Sequence, residues 1–139
     1  MLRTATLALL TSILVGLLVA PGSAAVQARS YGHTGAPDRV LRAGCHRYRY
    51  HYVVKPPTGD WILETFLLDP RHRRLASNAF SSDSEGKRGH GRFQFCRYST
   101  TPGRFTIKAK LTWYTTPILG AQKEHHAWLD PSHFRLRRP

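Results

Sequence analysis

From Cys45 to Val54 (CHRYRYHYVV) the chain alternates strictly. Tyr48, Tyr50, Tyr52 and Val54 fall on one side, and Arg47, Arg49 and His51 on the other. Successive side chains of a β-strand point to opposite faces, so a period of two that sorts apolar from basic residues predicts a half-buried strand. The pattern recurs in GRFTIKAKLTWY at 103–114, where Phe105, Ile107, Ala109, Leu111 and Trp113 are expected to face inward and Thr106, Lys108, Lys110 and Thr112 outward. Between these, Trp61, Leu63, Thr65 and Leu67 alternate with Ile62, Glu64, Phe66 and Leu68. Here both faces are apolar, which predicts a central strand or one covered on two sides.

Turn signals separate the strands. Residues 55–60 (KPPTGD) form one, Asp69-Pro70-Arg71-His72 suits a type I turn, and Thr101-Pro102-Gly103 precedes the longest alternation. Leu75 to Phe80 reads as a short strand, Phe93 and Phe95 alternate with Arg92, Gln94 and Cys96, and Phe134 and Leu136 suggest a closing strand in a less defined tail. Residues 81–91 (SSDSEGKRGHG) read as an exposed loop, and residues 26–44 as a flexible leader ahead of a domain at 45–139. No stretch after residue 29 carries an apolar period of 3.6. Short strands at regular spacing predict an all-β fold, an antiparallel β-sandwich that is immunoglobulin-like or jelly-roll-like.

The first 25 residues read as a signal peptide. Arg3 is followed by an uncharged run from Ala5 to Ala20, then Pro21-Gly22 and small residues at Ser23-Ala24-Ala25 or Val26-Gln27-Ala28. The run is shorter than the ~20 apolar residues that a span needs, so the expectation is cleavage, secretion and no membrane span afterwards. Cys45 and Cys96 are the two cysteines of the chain. In an exported protein they are expected to form a disulfide.

The charge is lopsided, with 21 Lys and Arg against 8 Asp and Glu and a formal net charge of +13. Such a chain is drawn to polyanions: nucleic acid, an anionic cell-envelope polymer or an acidic lipid surface. The outward positions of three strands are basic: Arg47 and Arg49, Lys108 and Lys110, Arg135 and Arg137. If these strands share one sheet, the six charges merge into a single polyanion-binding face. If the strands are divided between two sheets, the arginines are a scatter that GC-rich coding alone produces.

The order of Tyr50-x-Tyr52-x-Val54, Trp61-x-Leu63 running into Asp69-Pro70, Pro102-Gly103-x-Phe105-Thr106-Ile107 and Phe134-x-Leu136 resembles the jelly-roll or immunoglobulin-like accessory domains of bacterial secreted proteins, nearest to the pre-peptidase C-terminal type. The resemblance spans roughly 45–137 and implies a non-catalytic module. The acidic Asp-x-Asp segment common in that family is missing, so no calcium site is implied. The order Cys45, Trp61, Cys96 also suggests an immunoglobulin domain, but Gln94 stands where the tyrosine two residues before the second cysteine is expected. Both cysteines have the parity opposite to the neighbouring aromatics, which places the bridge at an edge or on the outer face.

Signals for chemistry are sparse. Glu124, His125, His126 and His133 are weak metal candidates whose spacing matches no zinc motif, and surface histidines explain them better. Tyr50 to Val54 faintly resembles a strand of the guanyl-specific microbial ribonucleases, with His51, Glu64, Arg97 and His125 or His126 as an acid, base and phosphate clamp. Tyr52 replaces the expected Glu, and the helix of those enzymes is missing. There is no phosphate-binding glycine loop, no nucleophile elbow and no free reactive thiol. The expectation is therefore no catalytic residue and no cofactor, with the tyrosine face serving as core rather than as a stacking platform.

Overall fold

The computed structural model describes residues 30–139. The signal peptide read at 1–25 lies outside the described residues. The regular structure described is almost entirely β-strand, arranged as two sheets that curl and pack against each other.

The small sheet has three antiparallel strands in the order β1 (Gly32–Gly35), β3 (Cys45–Val54) and β6 (Arg88–Cys96). The large sheet runs β2 (Arg39–Val40), β9 (Ser132–Arg137), β7 (Gly103–Thr115), β4 (Trp61–Leu68) and β5 (Arg74–Ser81), and β8 (Lys123–Trp128) pairs with the far half of β7. β4 lies between β7 and β5, the central position that its two apolar faces predict.

The core forms where the inward residues of the two sheets meet. Tyr48, Tyr50 and Phe93 from the small sheet and Phe105, Ile107, Phe134 and Leu136 from the large one are buried together, as are Tyr52, Trp61, Leu63, Leu111 and Trp113 at the other end. Phe80 packs against both groups. The aromatic rings form a continuous run across the interior, from Tyr48 on Phe95 (4.7 Å) to Phe95 on Phe105 (5.8 Å) and Phe105 on Phe134 (5.6 Å). Offset stacking at these separations adds attraction beyond burial. The Tyr50 hydroxyl bonds Thr65 Oγ1 at 2.6 Å and accepts from Asn78 Nδ2 at 3.0 Å, so one buried polar link ties the small sheet to β4 and β5. Burial pushes its pKa up, against the opposing pull of those two hydrogen bonds.

Two expectations are corrected. Residues 31–41 belong to the fold rather than to a flexible leader. Tyr31 stacks on Trp113 at 5.0 Å, β1 pairs with β3, Leu41 is fully buried and its N–H donates to the Arg137 carbonyl at 2.9 Å. The exposed loop read at 81–91 ends early, because β6 begins at Arg88. Gly89 and Gly91 suit this strand for a packing reason: they stand opposite Tyr52 and Tyr50, whose rings lie over the glycine backbones where a Cβ would collide with them.

Cys45 and Cys96 are joined by a disulfide and stand directly opposite each other on β3 and β6. The bridge therefore lies within the small sheet, with the parity of its outer face. An immunoglobulin disulfide instead joins the two sheets through the core, so the Cys45, Trp61, Cys96 order does not carry that detail.

A candidate polyanion-binding face

The six basic residues expected to merge are divided. Arg47 and Arg49 lie on the outer face of the small sheet, whereas Lys108, Lys110, Arg135 and Arg137 lie on the outer face of the large one. A single face made of all six does not exist in this fold, because β3 pairs with β1 and β6 and never with β7 or β9.

The two outer faces differ in kind. On the small sheet the register sets Arg47 opposite Gln94, Arg49 opposite Arg92, His51 opposite His90 and Val53 opposite Arg88, with His33 of β1 also opposite Val53. Four arginines and three histidines thus share a face on which none of the three strands carries an Asp or Glu. The guanidinium of Arg47 is held by its cross-strand neighbour, Nε donating to Gln94 Oε1 at 3.1 Å. Arg49 and Arg92 face each other as like charges, an arrangement that costs stability in a bare sheet and is relieved by an anion.

The face continues into the seam where β6 and β5, the free edges of the two sheets, approach without pairing. Two depressions of ≈ 470 and ≈ 320 Å³ lie along it. The first is lined in part by Arg47 and Arg92, the second by Arg49, His90 and Arg92, and Asn78 borders both. Asn78 spans the seam, its Nδ2 donating to the Arg92 carbonyl at 3.3 Å.

On the large sheet the cations are interrupted. Lys110 reaches Glu64 at 3.8 Å, and Arg137 reaches Asp38 at 3.8 Å. The Arg135 N–H donates to the same Asp38 carboxylate at 2.6 Å. Phe66 and Trp128, with ring centroids 6.1 Å apart, add apolar surface, and Arg74 lies over the Phe66 ring at 5.4 Å.

The metal candidates do not converge. Glu124 and His126 share the outward parity of β8, while His125 turns inward, stacks on Trp113 at 5.7 Å and bonds Thr115 Oγ1 at 3.0 Å. His133 belongs to β9 and bonds Thr106 Oγ1 at 3.0 Å; burial and then the Arg104 charge hold its pKa below the ordinary value. Among the described residues no group of three or more His, Cys, Asp or Glu is placed to hold a metal ion. The ribonuclease set is likewise dispersed. His51 is on the outer face of the small sheet, Glu64 on that of the large sheet, and Arg97 in the short turn Arg97–Ser99.

Sequence reasoning missed Arg88, His90 and His33 as members of the basic face. His90 and Arg88 fell in the segment read as a loop, and His33 in the segment read as a leader. No known family matches the chain, nor does any curated protein or solved structure.

Proposed function

We propose that the mature protein is an exported, non-enzymatic module that binds an anionic polymer on the outer face of its small sheet. The observation that carries this reading is the composition of that face: Arg47, Arg49, Arg88 and Arg92 with His33, His51 and His90, and no carboxylate on any of its strands. A net charge of +13 gives long-range attraction, but net charge alone is satisfied by any surface. A face cleared of acids gives the attraction a place. Export is supported by the apolar leader that ends in small residues, and by the disulfide, which persists in oxidising compartments. Among the described residues no helix is long and apolar enough to cross a membrane.

Retention on immobilised heparin against rising salt tests the reading. Arg47→Glu, Arg49→Glu and Arg92→Glu together should lower the eluting salt sharply and flatten the salt dependence by about three to five ions, because lost phosphate or sulfate contacts no longer release counterions. Arg104→Glu, Lys108→Glu and Arg135→Glu on the large sheet make an equal change of net charge and should lower it less. Equal losses from the two sets would mean that the protein has net charge without a binding face.

A further inference from the structure

The same face has a second regularity. Its permanently charged side chains are all arginine, with no lysine on the strands of the small sheet, and its three exposed histidines form a row across all three strands. His51 of β3 stands opposite His90 of β6, and the His33 ring of β1 meets the His51 ring edge-on with centroids 6.0 Å apart. Gly35 seats this row. It stands opposite His51, and the imidazole occupies the space that a Cβ at Gly35 would need.

The charged surroundings of the row are one-sided. β1 contributes His33 alone, β3 contributes Arg47, Arg49 and His51, and β6 contributes Arg88, His90 and Arg92. The acids next in sequence are Asp38, which follows β1 and is engaged by Arg135 and Arg137 of the large sheet, and Asp83 and Glu85, in the loop that leads into β6, where Lys87 also lies. Glu85 acts on Tyr52, an inward residue whose hydroxyl donates to the Gly86 carbonyl at 3.2 Å and whose pKa is raised first by burial and then by that carboxylate.

Arginine presents a rigid fork of donors that matches the oxygens of phosphate, and it keeps its charge at every accessible pH. Imidazole is the side chain that changes charge between about pH 8 and pH 5. An anionic chain across the face favours protons added to this row, because each adds a positive charge beside the ligand. Linkage is reciprocal, so a ligand that favours the protonated row is itself bound more tightly when the row is protonated.

We propose that His33, His51 and His90 make this face a proton-coupled site for a phosphodiester polymer, which it holds in mildly acidic surroundings and releases toward neutrality; the inference rests on the polyanion reading above. Two sources share that ligand chemistry, single-stranded nucleic acid and a glycerol-phosphate wall polymer.

The probes are an end-labelled single-stranded DNA oligonucleotide and an end-labelled poly(glycerol phosphate) chain, titrated at pH 7.5 and 5.5 at fixed ionic strength. The parent protein should bind roughly tenfold more tightly at the lower pH, with a salt dependence steeper by about two ions. The variant His33→Gln, His51→Gln, His90→Gln should lose the rise, binding no more tightly at pH 5.5 than it does at pH 7.5. Because every histidine adds net charge in acid, a second variant, His46→Gln, His125→Gln, His126→Gln, serves as control and should keep the rise. A cooperative thermal transition well above the assay temperature shows that both variants fold. A rise with either polymer supports the proposal, and the larger rise names the source of the phosphates. No change in the parent, or a rise that survives the first variant, overturns proton coupling and leaves polyanion binding standing. Folded parent protein that binds neither polymer at either pH overturns the polyanion reading itself.

Discussion

The two sheets solve the same packing problem with different residues, and their outer faces diverge accordingly. The large sheet fills its inner face with Leu63, Leu67, Ile107, Leu111, Phe105 and Trp113, side chains that need only to be buried. The small sheet fills its inner face with Tyr48, Tyr50, Tyr52, Phe93 and Phe95, and needs Gly89 and Gly91 to make room for two of the rings. Outside, the large sheet mixes cations with Glu64, Glu124 and half-exposed aromatics, while the strands of the small sheet set their cations beside Gln94 and Val53 without an acid. An excess of arginine distributed along a sequence therefore does not predict where a charged surface forms. Strand pairing decides that, by choosing which outward residues become neighbours and whether an acid is among them.

The inner faces respond most strongly to mutation. Trp113→Ala in the large sheet removes a residue that is 8% exposed and stacks with both Tyr31 and His125, and should cost about 3–5 kcal/mol in urea unfolding. Lys110→Ala, three residues earlier on the outer face, should cost less than about 0.5 kcal/mol because its pair with Glu64 is solvent-accessible. Equal costs would mean that the facing of β7 is wrong.

The small sheet is expected to fail by crowding instead. Gly91→Ala places a methyl group against the Tyr50 ring and displaces the hydroxyl from Thr65 and Asn78, at a cost of about 1–3 kcal/mol. Gly59, whose added Cβ would meet nothing within 4 Å, should tolerate the same change within about 0.5 kcal/mol. Thermal melting of the two variants checks the difference, and a Gly91→Ala protein as stable as the parent would remove tyrosine packing as the reason for that glycine.

Much of this was legible in the sequence where hydrophobic alternation was long. The spans of β3, β4 and β7 and the inward set of β7 follow from period two alone, and the central place of β4 follows from its two apolar faces. The segments that were misread lack that signal. β1 is Gly-His-Thr-Gly, a strand defined by its partner β3 rather than by its own residues. The start of β6 is Arg-Gly-His-Gly, whose glycines look like loop residues until Tyr50 and Tyr52 are placed over them. β8 alternates weakly; an extended reading puts Glu124 and His126 on one face, as the strand does, while His125 turns inward and His133, close in sequence, belongs to β9. The candidate site suffered most, since outward residues were identified on β3, β7 and β9 but not on β1 or the start of β6, and the pairing of strands, a long-range property, was not written in any local pattern. Arg92 was seen as outward, yet that it stands opposite Arg49 became visible only in the register of β3 and β6.

The central claim is that the outer face of the small sheet, and not the large one, is where an anionic polymer sits. Backbone amide NMR shifts during titration of the labelled protein with a short heparin fragment at pH 5.5 report this position directly. The shifts should concentrate in 47–51 and 88–94 and extend to His33, with those in 104–110 and 133–137 small by comparison. Shifts spread evenly over both sheets, or centred on Lys108 and Arg135, would contradict it.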